Sequence, residues 1–315
     1  MPTRTRHVNE DGGSIGQIDK SSEPFLVSVI IPTHDRPDLL RRALESVLTQ
    51  TYKRLDIIVV DDASKVDVAP IIASFQDDRI RLLRQEKNQG VSIARNDGIA
   101  DAKGAYVAFL DDDDEMFPDK IAAHIEDLAK KGWRYKVSYC LGEVYDDSQG
   151  ITIRQHREGW DGEHLEQLID GTIRPPTICF LIDGECLKKV GGFRPNLPSM
   201  EDRELWIRLA EHYEFAFVNR ILVRIHLAHG SRMSDNRQAR LDAQSIIYRA
   251  HKELFWKHPK ALSGFFMNYA FELLDRGYNR KALVQFIKAI VADPFVSRPY
   301  VALGLGVTRI VRPRT

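Results

Sequence analysis

The chain has 315 residues, room for one large domain or for a domain of ordinary size with an appendage. Hydrophobic residues make up 43% and charged residues 29%, so a folded core is expected. Lysine plus arginine equal aspartate plus glutamate at 45 each, which gives no electrostatic reason to expect nucleic acid or an acidic polymer as partner.

Residues 1–24 are polar, with Gly12-Gly13-Ser14 and Ser21-Ser22, and read as a disordered leader without the apolar segment of a signal peptide. From Phe25 to Pro32 a β-branched apolar run predicts a strand buried on both faces. Asp35 and Pro37 then supply helix-start chemistry ahead of Leu39, Leu40, Ala43, Val47 and Leu48, which share one helical face. Leu55 to Val60 predicts a second buried strand, ending in Asp61-Asp62-Ala63-Ser64. A helix over Val68 to Phe75, a strand over Arg79 to Leu83 and a helix over Val91 to Ala102, closed by Gly104, lead to a strand opening at Tyr106. Such alternation predicts an α/β fold with a Rossmann-like, doubly wound, mostly parallel sheet, whose ligands sit beyond the carboxyl ends of the strands.

The Tyr106 strand ends in five carboxylates, Asp111 to Glu115. Two like charges about 4 Å apart repel by roughly 4 kcal/mol at an effective dielectric near 20. The run therefore calls for a hard divalent cation, or else is a solvated acidic turn capping the helix that begins near Phe117-Pro118. Neither the three spaced glycines of a dinucleotide site nor a phosphate loop ending in Gly-Lys-Ser/Thr is present. The cysteines, Cys140, Cys179 and Cys186, are odd in number and lack paired zinc-site spacings, which fits buried thiols in a reducing compartment. No apolar stretch approaches the ~20 residues of a membrane span, and a cytoplasmic protein is expected.

In order, VSVIIPT from Val27, IVVDDAS from Ile58, Asn88-x-Gly90-x-x-x-Ala94-Arg95-Asn96, GAYVAFLDDDD from Gly104, Val190-Gly191-Gly192-Phe193 and Glu201-Asp202 resemble the motifs of family 2 glycosyltransferases of the GT-A fold. The resemblance runs to about Ser234, roughly two thirds of the chain. It implies inverting transfer of a sugar from a nucleotide donor, UDP- or dTDP-linked, to a hydroxyl of a glycan or lipid-linked acceptor, with Mg²⁺ or Mn²⁺ assisting. It also implies residue roles. Asp113 is the metal ligand and Asp111 lies at the metal and donor ribose. Asp112, often a neutral residue in such motifs, departs from the pattern and blurs which carboxylates bind metal or donor. Asp62 accepts from the base, Pro32, Thr33, His34 and Asp35 line the base and ribose, and Arg95 approaches the diphosphate. Asp202 is the general base, supported by Glu201. His226 and His229 both qualify as a histidine completing the metal or diphosphate site.

Within this scheme residues 25–236 form the GT-A domain, with a nucleotide-sugar half (25–115) and an acceptor half (116–236). The acceptor half is read with strands at Lys136 to Leu141, Ile151 to Gln155 and Ile178 to Ile182, the last fed by a Pro175-Pro176 loop. An amphipathic helix follows Glu201-Asp202. Residues 237–315 read as a helical extension: one helix over Gln238 to His258, stopped by Pro259, then a tetratricopeptide-like hairpin over Tyr269 to Pro294 with Gly277 at its turn. A single hairpin cannot fold alone, so it must pack on the catalytic domain, a helical partner or a membrane surface. Tyr300 to Arg314 mixes apolar residues with arginines, a pattern suited to peripheral attachment at a membrane. A nucleotidyltransferase on a related fold and a catalytically silent nucleotide- or glycan-binding relative are the alternatives; the first lacks its glycine-rich basic loop.

Overall fold

The computed structural model describes residues 25–155, 159–227, 236–295 and 297. The leader, His229 and the tail from Tyr300 lie outside the described residues. The expected alternation is present: β1 (Val27–Thr33), α1 (Pro37–Leu48), β2 (Leu55–Asp61), α2 (Ala69–Ser74), β3 (Ile80–Arg84), α3 (Val91–Asp101) and β4 (Tyr106–Phe109). β1, β2 and β4 are buried at every position, as their unbroken apolar runs require. These strands lie parallel in the order β3-β2-β1-β4. Pro32 is tolerated inside a central strand because β1 pairs with β4 only as far as Ile30, so its missing N–H breaks no ladder on that side.

Beyond β4 the sheet becomes mixed. β8 (Phe180–Asp183) runs antiparallel to β4, followed by β6 (Val137–Asp146), β9 (Phe215–Leu227) and the two-residue β5 (Glu115–Met116), with β7 (Ile151–Gln155) flanking β6. This is the GT-A architecture, a curled α/β sheet with helices at the C-terminus. Two strands lay outside the sequence reading. β5 is too short to carry a period. In β9 the apolar pattern is interrupted by exposed Asn219 and Arg220, where the pairing with β6 slips register. The strand expected at Ile178 starts only at Phe180, because Thr177–Cys179 forms a 3-10 turn.

The remaining helices are α4 (Lys120–Lys130), α5 (Leu165–Asp170), α6 (Gly184–Val190), α7 (Glu201–Ala210), α8 (Arg237–Ala250), α9 (Lys252–Trp256), α10 (Pro259–Leu274) and α11 (Asn279–Ala292). The single helix expected over Gln238 to His258 is broken at His251, whose ring turns back to the buried Glu204 of α7 at 3.0 Å. Pro259 occupies the first turn of α10 as well as ending the element before it, so the hairpin begins ten residues earlier than expected. Its turn carries Gly277 at φ 76°. The extension packs on the catalytic domain. Gly264 of α10 lies so close to α5 that a Cβ there would sit 2.7 Å from Asp170 Cβ, and the Asn268 amide donates to the Asp170 carbonyl at 2.5 Å. Among the described residues no helix is long and apolar enough to cross a membrane.

Candidate active site

The ends of β1 and β2 are register partners at Thr33 and Asp61, and the Leu110 N–H donates to the Ile30 carbonyl at 3.0 Å. The acidic run therefore emerges beside both strand ends. A cavity of about 600 Å³ opens there, with Asp62, Asp111, Asp112 and Asp113 on one wall and Glu201 and Asp202 on the other.

The carboxylates of the run have separate tasks. Asp112 is 5% exposed and accepts from the Thr33 hydroxyl at 2.8 Å and from Arg36 Nη1 at 3.1 Å. Burial pushes its carboxyl up to about 6 against the opposing pull of Thr33 and Arg36. Arg36 also reaches Asp113 at 3.3 Å, and Arg42 donates to the Asp113 carbonyl at 2.6 Å. Asp114 accepts from the His226 backbone N–H at 3.0 Å, pinning β9 to the turn. Arg36 escaped the sequence reading, although an arginine just after a strand-end turn was a usable signal.

On the neighbouring turn, the two Asp62 oxygens accept from the backbone N–H groups of Gln89 at 2.6 Å and Gly90 at 2.8 Å. This holds the Asn88–Gly90 loop against β2 and leaves each oxygen one lone pair toward the cavity. His34 donates through Nδ1 to the Asp62 carbonyl at 2.7 Å, and its Nε2 lies 3.5 Å from Asp35 Oδ2. Asp35 does not line the cavity. Its backbone sits at φ 53°, its N–H donates to Ser64 and its carboxylate accepts from the Lys65 N–H at 2.6 Å, so it builds the turn and does not reach a ligand.

Arg95 is 3% exposed and spans the two walls, donating to Asp111 at 2.6 Å and to Glu201 at 3.0 Å, above the Phe193 ring. Burial opposes its charge, but Asp111 and Glu201 outweigh that and hold the guanidinium protonated far above its ordinary range. Arg95 lines the cavity, where it binds one carboxylate from each side. Asn96 exchanges two hydrogen bonds with Phe193, at 2.7 and 2.8 Å. That clamp explains why Gly192 precedes Phe193, since at φ 65° a Cβ would lie 2.5 Å from Asn96 Oδ1.

Glu201 and Asp202 occupy the first turn of α7, where the helix dipole favours negative charge. Burial, and then the adjacent Glu201, push the Asp202 carboxyl up to about 6. Below them Glu204, fully buried, accepts from Arg194, Arg208 and His251 and is held down to about 2 despite its burial. Arg208 in turn donates to the Gly192 carbonyl at 2.5 Å, tying α7 to the same glycine turn.

His226 does not face the acidic run's cavity wall. Its ring nitrogens meet Asp147 at 2.7 Å and Glu115 at 2.5 Å, and it is not among the residues that line the cavity. Among the described residues no three His, Cys, Asp or Glu side chains converge on one point. Asp111 and Asp113 line the cavity with side chains 35% and 19% exposed. Two carboxylates fit Mg²⁺ or Mn²⁺ bound in the manner that relies on phosphate and water for the other ligands, and do not fit an all-protein cage.

The chain matches the model of Glycosyl transferase family 2 over residues 28–187. It is 33% identical over 210 residues to an uncharacterized glycosyltransferase of Rickettsia prowazekii (strain Madrid E), covering 64% of this chain and 65% of that protein, so it spans less than two thirds of that relative's length. It is 28% identical over 245 residues to the putative colanic acid biosynthesis glycosyl transferase WcaA of Escherichia coli (strain K12), covering 75% of this chain and 84% of that one. The crystal structure of S. aureus TarS 1-349 in complex with UDP-GlcNAc superposes with a TM-score of 0.66 at 18% identity, over 84% of this chain and 81% of that one, a likeness of fold. With just over half of its length matched by the family model, the chain belongs to glycosyl transferase family 2.

Proposed function

We propose that the protein is an inverting glycosyltransferase that moves a sugar from a nucleotide-sugar to a hydroxyl acceptor in polysaccharide or glycan biosynthesis. The observation that carries this reading is that the Asp111–Asp113 turn and the Glu201–Asp202 helix start line one cavity, bridged by Arg95 between Asp111 and Glu201. A general base works best with a pKa near the working pH, and Asp202 is mostly ionised at neutral pH yet retains basicity. The relatives support the class: one is named for colanic acid biosynthesis and a structural neighbour holds UDP-GlcNAc.

In this scheme the nucleotide rests against Thr33, His34 and Asp62, with the Asp62 lone pairs accepting from the N–H of a uracil or thymine edge. Asp111 and Asp113 hold Mg²⁺ or Mn²⁺, whose chemistry is to neutralise charge on the leaving diphosphate. The acceptor oxygen attacks the anomeric carbon on the face opposite the breaking bond, while Asp202 takes its proton. Glu201, bound to Arg95, positions the first turn of α7.

Thermal shift with UDP, dTDP and GDP, each with Mn²⁺ and with chelator, tests the donor side. One nucleotide is expected to stabilise the protein in a metal-dependent way, by about 2.7 kcal/mol at a hundred times its dissociation constant. The Asp113→Asn variant should lose the metal dependence. No shift with any pair sinks the donor reading, and a shift without hydrolysis of any nucleotide-sugar points to a silent binder.

A further inference from the structure

The cavity also carries positive charge that the reaction just described does not use. Arg174 follows α5, Arg203 lies on α7 and Arg240 on α8, and all three side chains line the cavity. Arg174 and Arg203 flank one glycine: a Cβ at Gly171 would lie 3.0 Å from the Nη2 atoms of both. Arg203 is 4% exposed, and its donors Nε and Nη2 meet the neutral carbonyls of Leu168 and Ile169 at 2.8 and 2.6 Å. Among the described residues Arg174 donates only to the Gly171 carbonyl, at 3.0 Å. Among the described residues neither arginine has a carboxylate within salt-bridge distance, whereas Arg240 pairs with Glu272 at 2.9 Å.

Three carboxylates stand near enough to be felt: Asp170, Asp202 and Glu272. Asp170 turns one oxygen to the Thr172 N–H and hydroxyl, and Glu272 is taken by Arg240 and Gln244. Burial and then Arg174 push Arg203 down to about 9, and burial and then Arg240 push Arg174 down. Positive charge is therefore crowded here at an unfavourable cost that these neighbours leave only partly offset.

Resting on the glycosyltransferase reading, we propose that this arginine wall is an acceptor subsite for a phosphate group. Arg203 is the next neighbour of Asp202, and Asp202 is among the carboxylates felt by both Arg174 and Arg203, whereas none of the carboxylates of the turn assigned to the donor is. A multi-oxygen anion uses several guanidinium forks at once, where one carboxylate uses a single fork. Leu168, Pro175 and Trp206 beside them supply an apolar surround in which such pairs strengthen. The phosphate belongs either to a lipid-linked acceptor or to a phosphate-containing polymer, and recruiting Arg240 makes the helical extension part of acceptor binding.

Calorimetric titration of the full chain, saturated with UDP and Mn²⁺, with geranyl diphosphate and with glycerol 3-phosphate tests this. Glucuronate and glycerol serve as the carboxylate and uncharged controls. Binding of one phosphate probe is expected, and which probe binds tighter distinguishes the lipid from the polymer source. Arg174→Gln and Arg240→Gln should each weaken it by about tenfold, as loss of a charge-assisted contact does. UDP affinity should stay within about twofold, and Arg174→Lys should recover part of the loss. Unchanged binding in both glutamine variants, glucuronate bound as tightly as phosphate, competition between UDP and phosphate, or no phosphate binding by the wild type would each overturn the proposal. Arginine-dependent phosphate binding by a chain that takes no nucleotide supports the subsite and removes the donor reading instead.

Discussion

The two walls of the cavity differ in charge and in construction. On one, Thr33, Asp62 and Asp111 to Asp113 all follow within a few residues of the ends of parallel strands, and their charge is negative. On the other, beside Glu201 and Asp202, Arg174, Arg203 and Arg240 come from a loop and two helices and add positive charge. A strand end places its turn wherever the sheet register puts it, so the first wall needs only local sequence and pairing. The second exists only once α5, α7 and α8 have docked on one another. Arg95 is the strut between the two, with one carboxylate from each side.

Four changes would break or sharpen that contrast. The largest effect is expected from Asp202→Asn, which should lower transfer by about a thousandfold while nucleotide affinity is kept. In the wild type the rate should fall as pH drops through about 6, because the folded Asp202 takes up its proton there, and the variant should lose that limb. Steady-state rates from pH 5 to about 8 read both.

Next comes Glu204→Gln. Glu204 is held down to about 2 in the fold, against 4.5 as its ordinary value, so its stabilisation is full above the ordinary range and vanishes as pH falls toward 2. About 3 kcal/mol should be lost near neutrality in urea melts, with the wild-type and variant curves converging in acid. Equal stability of the two proteins at pH 7 would mean the buried cluster does not tie α7 to the extension.

Gly192→Ala should cost about 1–3 kcal/mol, from its left-handed backbone and the 2.5 Å approach to Asn96, and should loosen the shelf under Arg95. The smallest effect on stability belongs to Arg36→Gln, under about 1 kcal/mol because the pair is half exposed. Removing that cation should instead lower the Mn²⁺ concentration needed for nucleotide-dependent stabilisation; a higher requirement would mean Arg36 contacts the nucleotide itself.

Much of the first wall is legible along the chain. The run through Asp111 to Asp114 and the Asp61-Asp62 turn each lie where an apolar strand ends, and on the other wall Glu201-Asp202 stands just ahead of an apolar helix pattern. The features that sequence reasoning misses lie at long range. Asp112 and Asp114 look redundant in the sequence, yet they meet Thr33 and His226, 79 and 112 residues away. His226 looks like a ligand because histidine ligates well, and β9 carries it instead between Glu115 and Asp147. The carboxylate partners of Arg95 cannot be read from α3 alone.

The sequence by itself determined the parallel half of the sheet and the chemistry at its edge. Buried strands announce themselves by composition, and turn residues follow them directly along the chain. Tertiary structure decided which of those charges are neutralised, which stay poised and which face each other. Burial and ion pairing depend on elements about a hundred residues apart, and only their docking brings Arg174, Arg203 and Arg240 into one cavity with the acidic turn.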